Sequence, residues 1–196
     1  MNVLEEAIVF ATEAHSGAYR KGSRMPYILH PLEAAAIAAT MTDDLEVLAA
    51  AVLHDVAEDT SRTLEEIRER FGGRVADLVS AETEEKRPDL PPEETWRIRK
   101  AETIRRLRQE TSTEIKIVVM GDKLSNLRAM YRDYLRYGDK LWERFHQRDP
   151  AAHGWYYKEA GLTLKCLSEY PAWEEYWHLY REIWQAEMLS ADVIVE

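Results

Sequence analysis

The chain predicts an all-α fold, and three observations carry that prediction. Apolar residues recur at helical spacing nearly from end to end. Capping residues stand where those runs begin, and glycine or proline where they stop. Between them there is neither a hairpin turn signal nor an internal repeat. The length, 196 residues, suits one hydrophobic core and is short for two.

The elements follow in order. Leu4, Ala7, Ile8, Ala11 and Ala14 form one stripe, with Asn2 placed to cap it and Gly17 to end it. A basic, glycine-rich loop runs from Gly17 to Pro26. Pro31 opens a second helix that reaches Met41 and leaves His30 at its N-terminal boundary. A third helix starts after Asp43-Asp44 and ends in His54-Asp55-Val56-Ala57-Glu58-Asp59-Thr60. Thr63 with Glu66 spells a capping box for a fourth helix that stops at Gly72-Gly73, and a fifth spans Val75 to Thr83. The clearest loop is Lys86-Arg87-Pro88-Asp89-Leu90-Pro91-Pro92. Five further helices are expected near 93–110, 113–134, 139–147, 152–169 and 172–189, making about ten. Ile115 to Met120 has strand propensity, but it continues into Leu124, Leu127 and Met130 at helical spacing and is taken as helix.

Composition excludes several function classes. The formal net charge of -10 opposes broad binding to nucleic acid or anionic membranes. No apolar run approaches the ~18 residues of a membrane span, and the N-terminus lacks a basic leader. A single cysteine, Cys166, allows no intrachain disulfide; its helical apolar setting reads as a small buried hydrophobe, and the expected compartment is the reducing cytoplasm.

The chemistry concentrates at the end of the third helix. An imidazole and three carboxylates fall within seven residues, after the apolar run Leu45 to Leu53. Like charges that close raise one another's pKa unless something positive sits among them, and a divalent cation satisfies carboxylates and a neutral imidazole together. A metal needs donors from several elements. His54 and Asp55 are adjacent, so one of them must turn along the helix surface to share an ion. His30 is held between Pro26 and Pro31, and Asp122 interrupts an apolar helix where an unpaired carboxylate is costly. Glu58 is placed for water activation and proton handling rather than ligation. Asn126, one turn beyond Asp122, serves equally as a ligand-orienting amide or as a helix-packing hydrogen bonder.

Arg20-Lys21, Pro26 to Pro31, His54 to Thr60 and Gly121 to Arg128, in that order, resemble the HD-domain metal phosphohydrolases. Within them the chain is most similar to Rel/Spo hydrolase domains and stand-alone small alarmone hydrolases. The resemblance covers residues from about 3 to 167. It implies an HD-domain helical bundle over 1–170; the tail from Trp173 to Glu196 has no counterpart in the family, and 171–196 is expected as a C-terminal helical extension packed on the same domain. By the same resemblance, His30, His54, Asp55 and Asp122 are the metal ligands, usually for manganese, and Glu58 and Asp59 are the acidic catalytic pair. Arg20, Lys21 and Asn126 contact the guanine nucleotide, and Lys86 meets phosphate. The implied reaction removes the 3′-pyrophosphate from guanosine tetra- or pentaphosphate, the alarmone of the stringent response. Ala18, the Lys21–Pro26 loop and Ala129 depart from the family pattern.

Alternative functions are an HD phosphatase for another small nucleotide and a non-enzymatic HD module that senses nucleotide or supports assembly. The intact donor set and the Glu58-Asp59 pair weigh against the module. Arg97, Arg99, Lys100, Arg105, Arg106 and Arg108 alternate with glutamates and read as a solvated helix face. His15, His146 and His178 read as structural, and His153 as core more than pocket wall. Trp173, Tyr176, Trp177, Tyr180 and Trp184 share a helical face that fits either the chain's own core or a homodimer.

Overall fold

The computed structural model describes residues 1–84, 87 and 89–184. Ten α-helices occur among them: α1 (Val3–Ala14), α2 (Leu29–Ala38), α3 (Leu45–Leu53), α4 (Val56–Asp59), α5 (Leu64–Phe71), α6 (Gly73–Glu82), α7 (Pro92–Gln109), α8 (Thr113–Tyr137), α9 (Pro150–Thr163) and α10 (Pro171–Trp184). Short 3-10 segments follow α8 (Gly138–Arg144) and α9 (Lys165–Leu167). The expected capping boxes are present, Asn2 with Glu5 on α1 and Thr63 with Glu66 on α5.

Helix α8 is the axis, packed on α2, α3, α6 and α10. Its neighbours approach through small residues: Ala34, Ala35 and Ala38 on α2, and Ala49, Ala50 and Ala51 on α3, are all buried. Gly121 marks the tightest approach. A Cβ there would stand 2.5 Å from the Ala34 carbonyl oxygen, so only glycine permits this spacing. α2 and α3 therefore carry their side chains close to α8, which is what a convergent site requires.

Several boundaries differ from the sequence expectation. α2 begins at Leu29, before Pro31, which places His30 inside the first turn; proline is tolerated there because those N–H groups have no intrahelical partner. The third helix is two: α3 stops at Leu53 and α4 restarts at Val56. Asp55, at φ -94° and ψ -6°, sits between them in the sparsely allowed bridge region common at active sites. The expected helix at 139–147 is the 3-10 segment, and the one at 152–169 ends at Thr163. Cys166 lies in the 3-10 turn after α9 and is exposed; the apolar periodicity there continues past the point where the backbone leaves the α-helix. One isolated bridge, Tyr19 to Pro26, closes the basic loop around Gly22, whose φ of 72° favours glycine.

The aromatic face of α10 turns inward. Trp173, Tyr176, Trp177 and Tyr180 are buried within this chain, and the Tyr176 hydroxyl donates to the Tyr157 carbonyl at 2.7 Å. Residues 185–196 of the expected extension, and Lys86, lie outside the described residues.

Candidate metal centre and substrate cleft

Three elements deliver donors to one point. His30 Nε2 lies 3.1 Å from Asp122 Oδ1 and 3.4 Å from Asp55 Oδ2. His54 Nε2 lies 3.0 Å from Asp55 Oδ2 and 3.5 Å from Asp122 Oδ1. His30, His54 and Asp122 each offer a donor atom within 4.8 Å of the others, and all three are buried. The break at Asp55 solves the adjacency problem: a continuous helix would splay neighbouring side chains about 100° apart, whereas the turn swings Asp55 back onto both imidazoles.

Both rings are oriented from behind. His54 Nδ1 lies 2.8 Å from the Ala51 carbonyl oxygen, which can only accept, so Nδ1 carries the hydrogen. His30 Nδ1 lies 2.9 Å from Ser125 Oγ, and the Ser125 hydroxyl donates to Glu33 Oε2 at 2.7 Å. Each imidazole thus presents Nε2 inward, the backing arrangement that metal-ligating histidines use. His54 Nε2 is buried with no hydrogen-bond partner, an orphan that a cation would satisfy. Nitrogen and carboxylate donors together suit a divalent metal, so the residues present fit one.

The electrostatics agree. Burial alone would lower the His54 pKa, but Asp55 and Asp122 outweigh it and hold it well above the ordinary value. Burial would raise Asp55 and Asp122; His54 chiefly outweighs it at Asp55, and Lys123 at Asp122, leaving both well below the usual carboxylate range. The centre therefore favours positive charge.

Around it stands a set of polar partners. Asn126 donates from Nδ2 to Asp122 Oδ1 at 2.6 Å and accepts at Oδ1 from Arg20 Nη2 at 2.8 Å. Both ends of its amide are thereby committed, joining the basic loop to a donor carboxylate. The Tyr27 hydroxyl is shared between Asp55 Oδ2 at 2.7 Å and Asp59 Oδ2 at 3.0 Å. Burial, then those two carboxylates, push the Tyr27 pKa far up, so it stays a donor. Glu58 lies on α4 rather than on the helix of His54; its Oε2 accepts the Glu84 N–H at 3.1 Å. Lys123 bonds Asp122 and lies 3.4 Å from Glu82.

The site occupies two joined spaces. A chamber of about 240 Å³ is lined by the donors, Glu58, Glu82 and Lys123. It meets a cleft of about 1130 Å³, with Arg20, Tyr27, Lys100, Asn126 and Tyr157 lining both. Asp59 and Lys21 line the cleft. In a chain of net charge -10, this cleft carries, among the described residues, eight lysine and arginine side chains against two carboxylates.

Sequence reasoning missed part of this. The basic run on α7 is not uniformly solvated: Arg99 and Lys100 turn inward and pair with buried Glu84 at 2.9 and 2.8 Å. Arg97 covers the Trp155 ring at 3.9 Å, while Arg105, Arg106 and Arg108 remain exposed. A helix with cations on every face gives no signal for the face that turns in. His15 is buried at the cleft edge, His146 is exposed and lines the cleft, and His178 is exposed elsewhere. His153 is both core and wall: it packs between Trp96 and Trp142 and also lines the chamber. Ser125 lay inside a block singled out in the sequence, but its bond to Glu33 joins residues far apart in the chain.

A family model described as the HD domain matches residues 7–151, and the chain belongs to that family. Among named relatives, it is similar to guanosine-3′,5′-bis(diphosphate) 3′-pyrophosphohydrolase of Aquifex aeolicus (strain VF5). The two are 37% identical over 130 residues, 65% of this chain and 18% of that protein. It is also similar to GTP pyrophosphokinase rsh of Brucella abortus (strain 2308), 35% identical over 130 residues, 65% of this chain and 17% of that protein. The chain thus spans under a fifth of the length of these curated relatives. A solved structure of a metazoan ortholog of SpoT that hydrolyzes ppGpp shares the fold, with a TM-score of 0.73 at 24% identity, covering 93% of this chain and 96% of that one. A crystal structure from Listeria monocytogenes EGD-e has a TM-score of 0.67 at 34% identity, covering 82% and 97%.

Proposed function

We propose that the protein is a metal-dependent phosphohydrolase that removes the 3′-pyrophosphate from guanosine tetra- or pentaphosphate, giving GDP or GTP and pyrophosphate. The observation that carries this reading is a buried cluster of two imidazoles and two carboxylates opening directly into a cationic cleft, on a chain that is acidic overall. Such polarity selects a small polyanion and brings it to a metal. The similarity to a 3′-pyrophosphohydrolase supports the choice of nucleotide.

In this reading His30, His54, Asp55 and Asp122 hold the ion, manganese in preference to other divalent metals. When bound, the ion supplies the Lewis acidity that draws charge from a phosphoryl oxygen and acidifies water. Glu58 accepts the proton of the attacking water, and the Glu84 N–H fixes one of its oxygens. Asp59, held by Tyr27, orients the attack from the chamber mouth. Arg20, Lys21 and Asn126 receive the nucleoside where chamber and cleft join, and Lys86 meets phosphate. The substrate is a free nucleotide rather than nucleic acid, since the cations wall a cleft instead of a broad face. We read 171–184 as part of the same unit and place the protein in the cytoplasm.

The test is a panel of purified nucleotides after chelation, with each metal restored in turn and the products separated by ion exchange. Manganese should restore conversion of guanosine tetraphosphate to GDP and pyrophosphate. Release of inorganic phosphate from nucleoside monophosphates, with no pyrophosphate from the tetraphosphate, would favour the other HD phosphatases.

A further inference from the structure

Helix α8 carries Asp122 into the chamber and then runs fifteen residues more, to Tyr137. Its last turns bring Arg132 and Arg136 to the cleft wall, beside Arg144 from the following 3-10 segment. At 1.5 Å per residue these two arginines stand ~15 and ~21 Å along the axis from Asp122. They are four residues apart, so like charges face each other on one surface, an arrangement that weakens a helix. Among the described residues neither makes an ion pair, whereas Arg68, Arg74, Arg99, Arg108 and Arg128 all do.

Arg144 is built in. Its Nη2 bonds Asp133 at 2.6 Å, and its stem packs on Gly22, where a Cβ would come within 3.1 Å of Cδ. Its Nε is buried without a partner. That salt bridge silences Asp133, one of the two carboxylates in the cleft. Among the described residues that line it, the outer end therefore holds cations that repel each other, an unsatisfied donor, and no acid other than the Asp133 of that salt bridge.

We propose that this outer end is a second phosphate subsite, in which Arg132, Arg136 and Arg144 take the 5′-phosphate chain of a nucleotide whose 3′-pyrophosphate lies in the chamber. The proposal rests on the reading given under Proposed function and deepens it. A nucleotide phosphorylated only on the 3′ side of its ribose fills the chamber and leaves the outer cations unmet. One phosphorylated on both sides of its ribose spans them. The cleft then selects by reach: the nucleoside lies against Arg20 and Asn126, with one anionic arm pointing to each end. Guanidinium groups suit the outer arm because they bind phosphate oxygens in pairs without needing a fixed number of phosphates.

The experiment compares wild type with Arg132→Ala/Arg136→Ala on two substrates, guanosine tetraphosphate and guanosine 3′-pyrophosphate with a free 5′-hydroxyl. Both arginines are exposed on the cleft rim, so the fold survives their loss. A control, Arg105→Ala/Arg181→Ala, removes the same charge from exposed positions that do not line the cleft. The subsite requires KM for the tetraphosphate to rise roughly tenfold or more in the rim variant alone, with KM for the 5′-hydroxyl substrate changing less than about twofold. An equal rise on both substrates, an unchanged KM for the tetraphosphate, or the same rise in the control overturns it. If wild type hydrolyses neither substrate, the reading under Proposed function falls, and calorimetric titration with GTP judges the subsite by itself. Tenfold weaker GTP binding in the rim variant then upholds it, and equal or undetectable binding in wild type and variant refutes it.

Discussion

Two halves of the molecule solve the packing problem in opposite ways. Around the candidate metal centre, α2, α3 and α8 meet through alanines and Gly121, so backbones lie close, and His30, His54, Asp55 and Asp122 converge at short distances. Where α7, α9 and α10 meet, the space is filled by rings: Trp96, Trp142, Tyr156, Tyr176, Trp177 and Tyr180 pack edge to face or tilted. Small residues fix distance, because a backbone contact has no rotamer to adjust. Large aromatics fill volume and tolerate a tilt. Chemistry that needs donors placed to a few tenths of an ångström belongs in the first half, and the cleft wall in the second. The halves are joined by Arg128, which bonds Glu175 of α10 at 2.6 Å and Glu33 of α2 at 3.3 Å. Glu33 in turn backs His30 through Ser125.

Removing donors should break the first half most severely. His54→Ala and Asp122→Ala are expected to cost at least about a thousandfold in turnover and to abolish stoichiometric metal in the purified protein. Full turnover with bound metal in both variants would defeat the four-donor centre. Glu58→Gln should be milder and different in kind, losing on the order of a hundredfold in kcat while the metal content is kept. Loss of metal in that variant would make Glu58 a ligand instead of a base.

The contrast between the halves is sharpened by two glycine substitutions. Gly121→Ala drives a Cβ to 2.5 Å from the Ala34 carbonyl, which can be relieved only by moving α2 from α8. It should destabilise by about 1–3 kcal/mol and reduce activity as well, since His30 and Asp122 ride on those helices. Gly161→Ala meets ring atoms of Trp177 and Tyr176 at 2.7 Å. It should lower the melting temperature while leaving kcat/KM of the folded protein nearly intact. Equal loss of activity in both variants would show that the aromatic half is as exacting as the alanine half.

The same contrast explains what was legible in the chain. His54, Asp55 and Asp122 stood out because each breaks an apolar run, and a buried carboxylate demands a partner. The helices of the first half were legible because capping residues and alanine-rich stripes mark them locally. The pause between α3 and α4 was not, since neither glycine nor proline stands at His54 or Asp55 to mark a helix end. In the second half, apolar and aromatic spacing ran on through Lys165–Leu167, where the backbone tightens to 3-10. Periodicity reports which side is buried, and there it remained true after the helix had ended. Lys100 and Arg99 were misplaced for a related reason: their partner Glu84 lies before a loop, and no local pattern aims a cation at it.

The smallest effect is expected far from either interior. Arg74 bonds Asp44 at 2.7 Å, Glu46 at 2.5 Å and Glu114 at 2.7 Å, tying the starts of α3, α6 and α8 together at the surface. These side chains are more than a third exposed, so solvent screens them, and Arg74→Ala should cost no more than about 1 kcal/mol with activity unchanged. The Asp44 pKa is lowered, chiefly by its hydrogen bond from Arg74. A carboxyl depressed in the folded state contributes stability above its unfolded pKa and loses it as pH falls through the folded value. The gap in stability between wild type and Arg74→Ala should therefore be full at neutral pH and close on acidification below the ordinary aspartate range. Denaturant midpoints for both proteins across that range measure it, and a gap that widens in acid would reverse the sign assigned to this cluster.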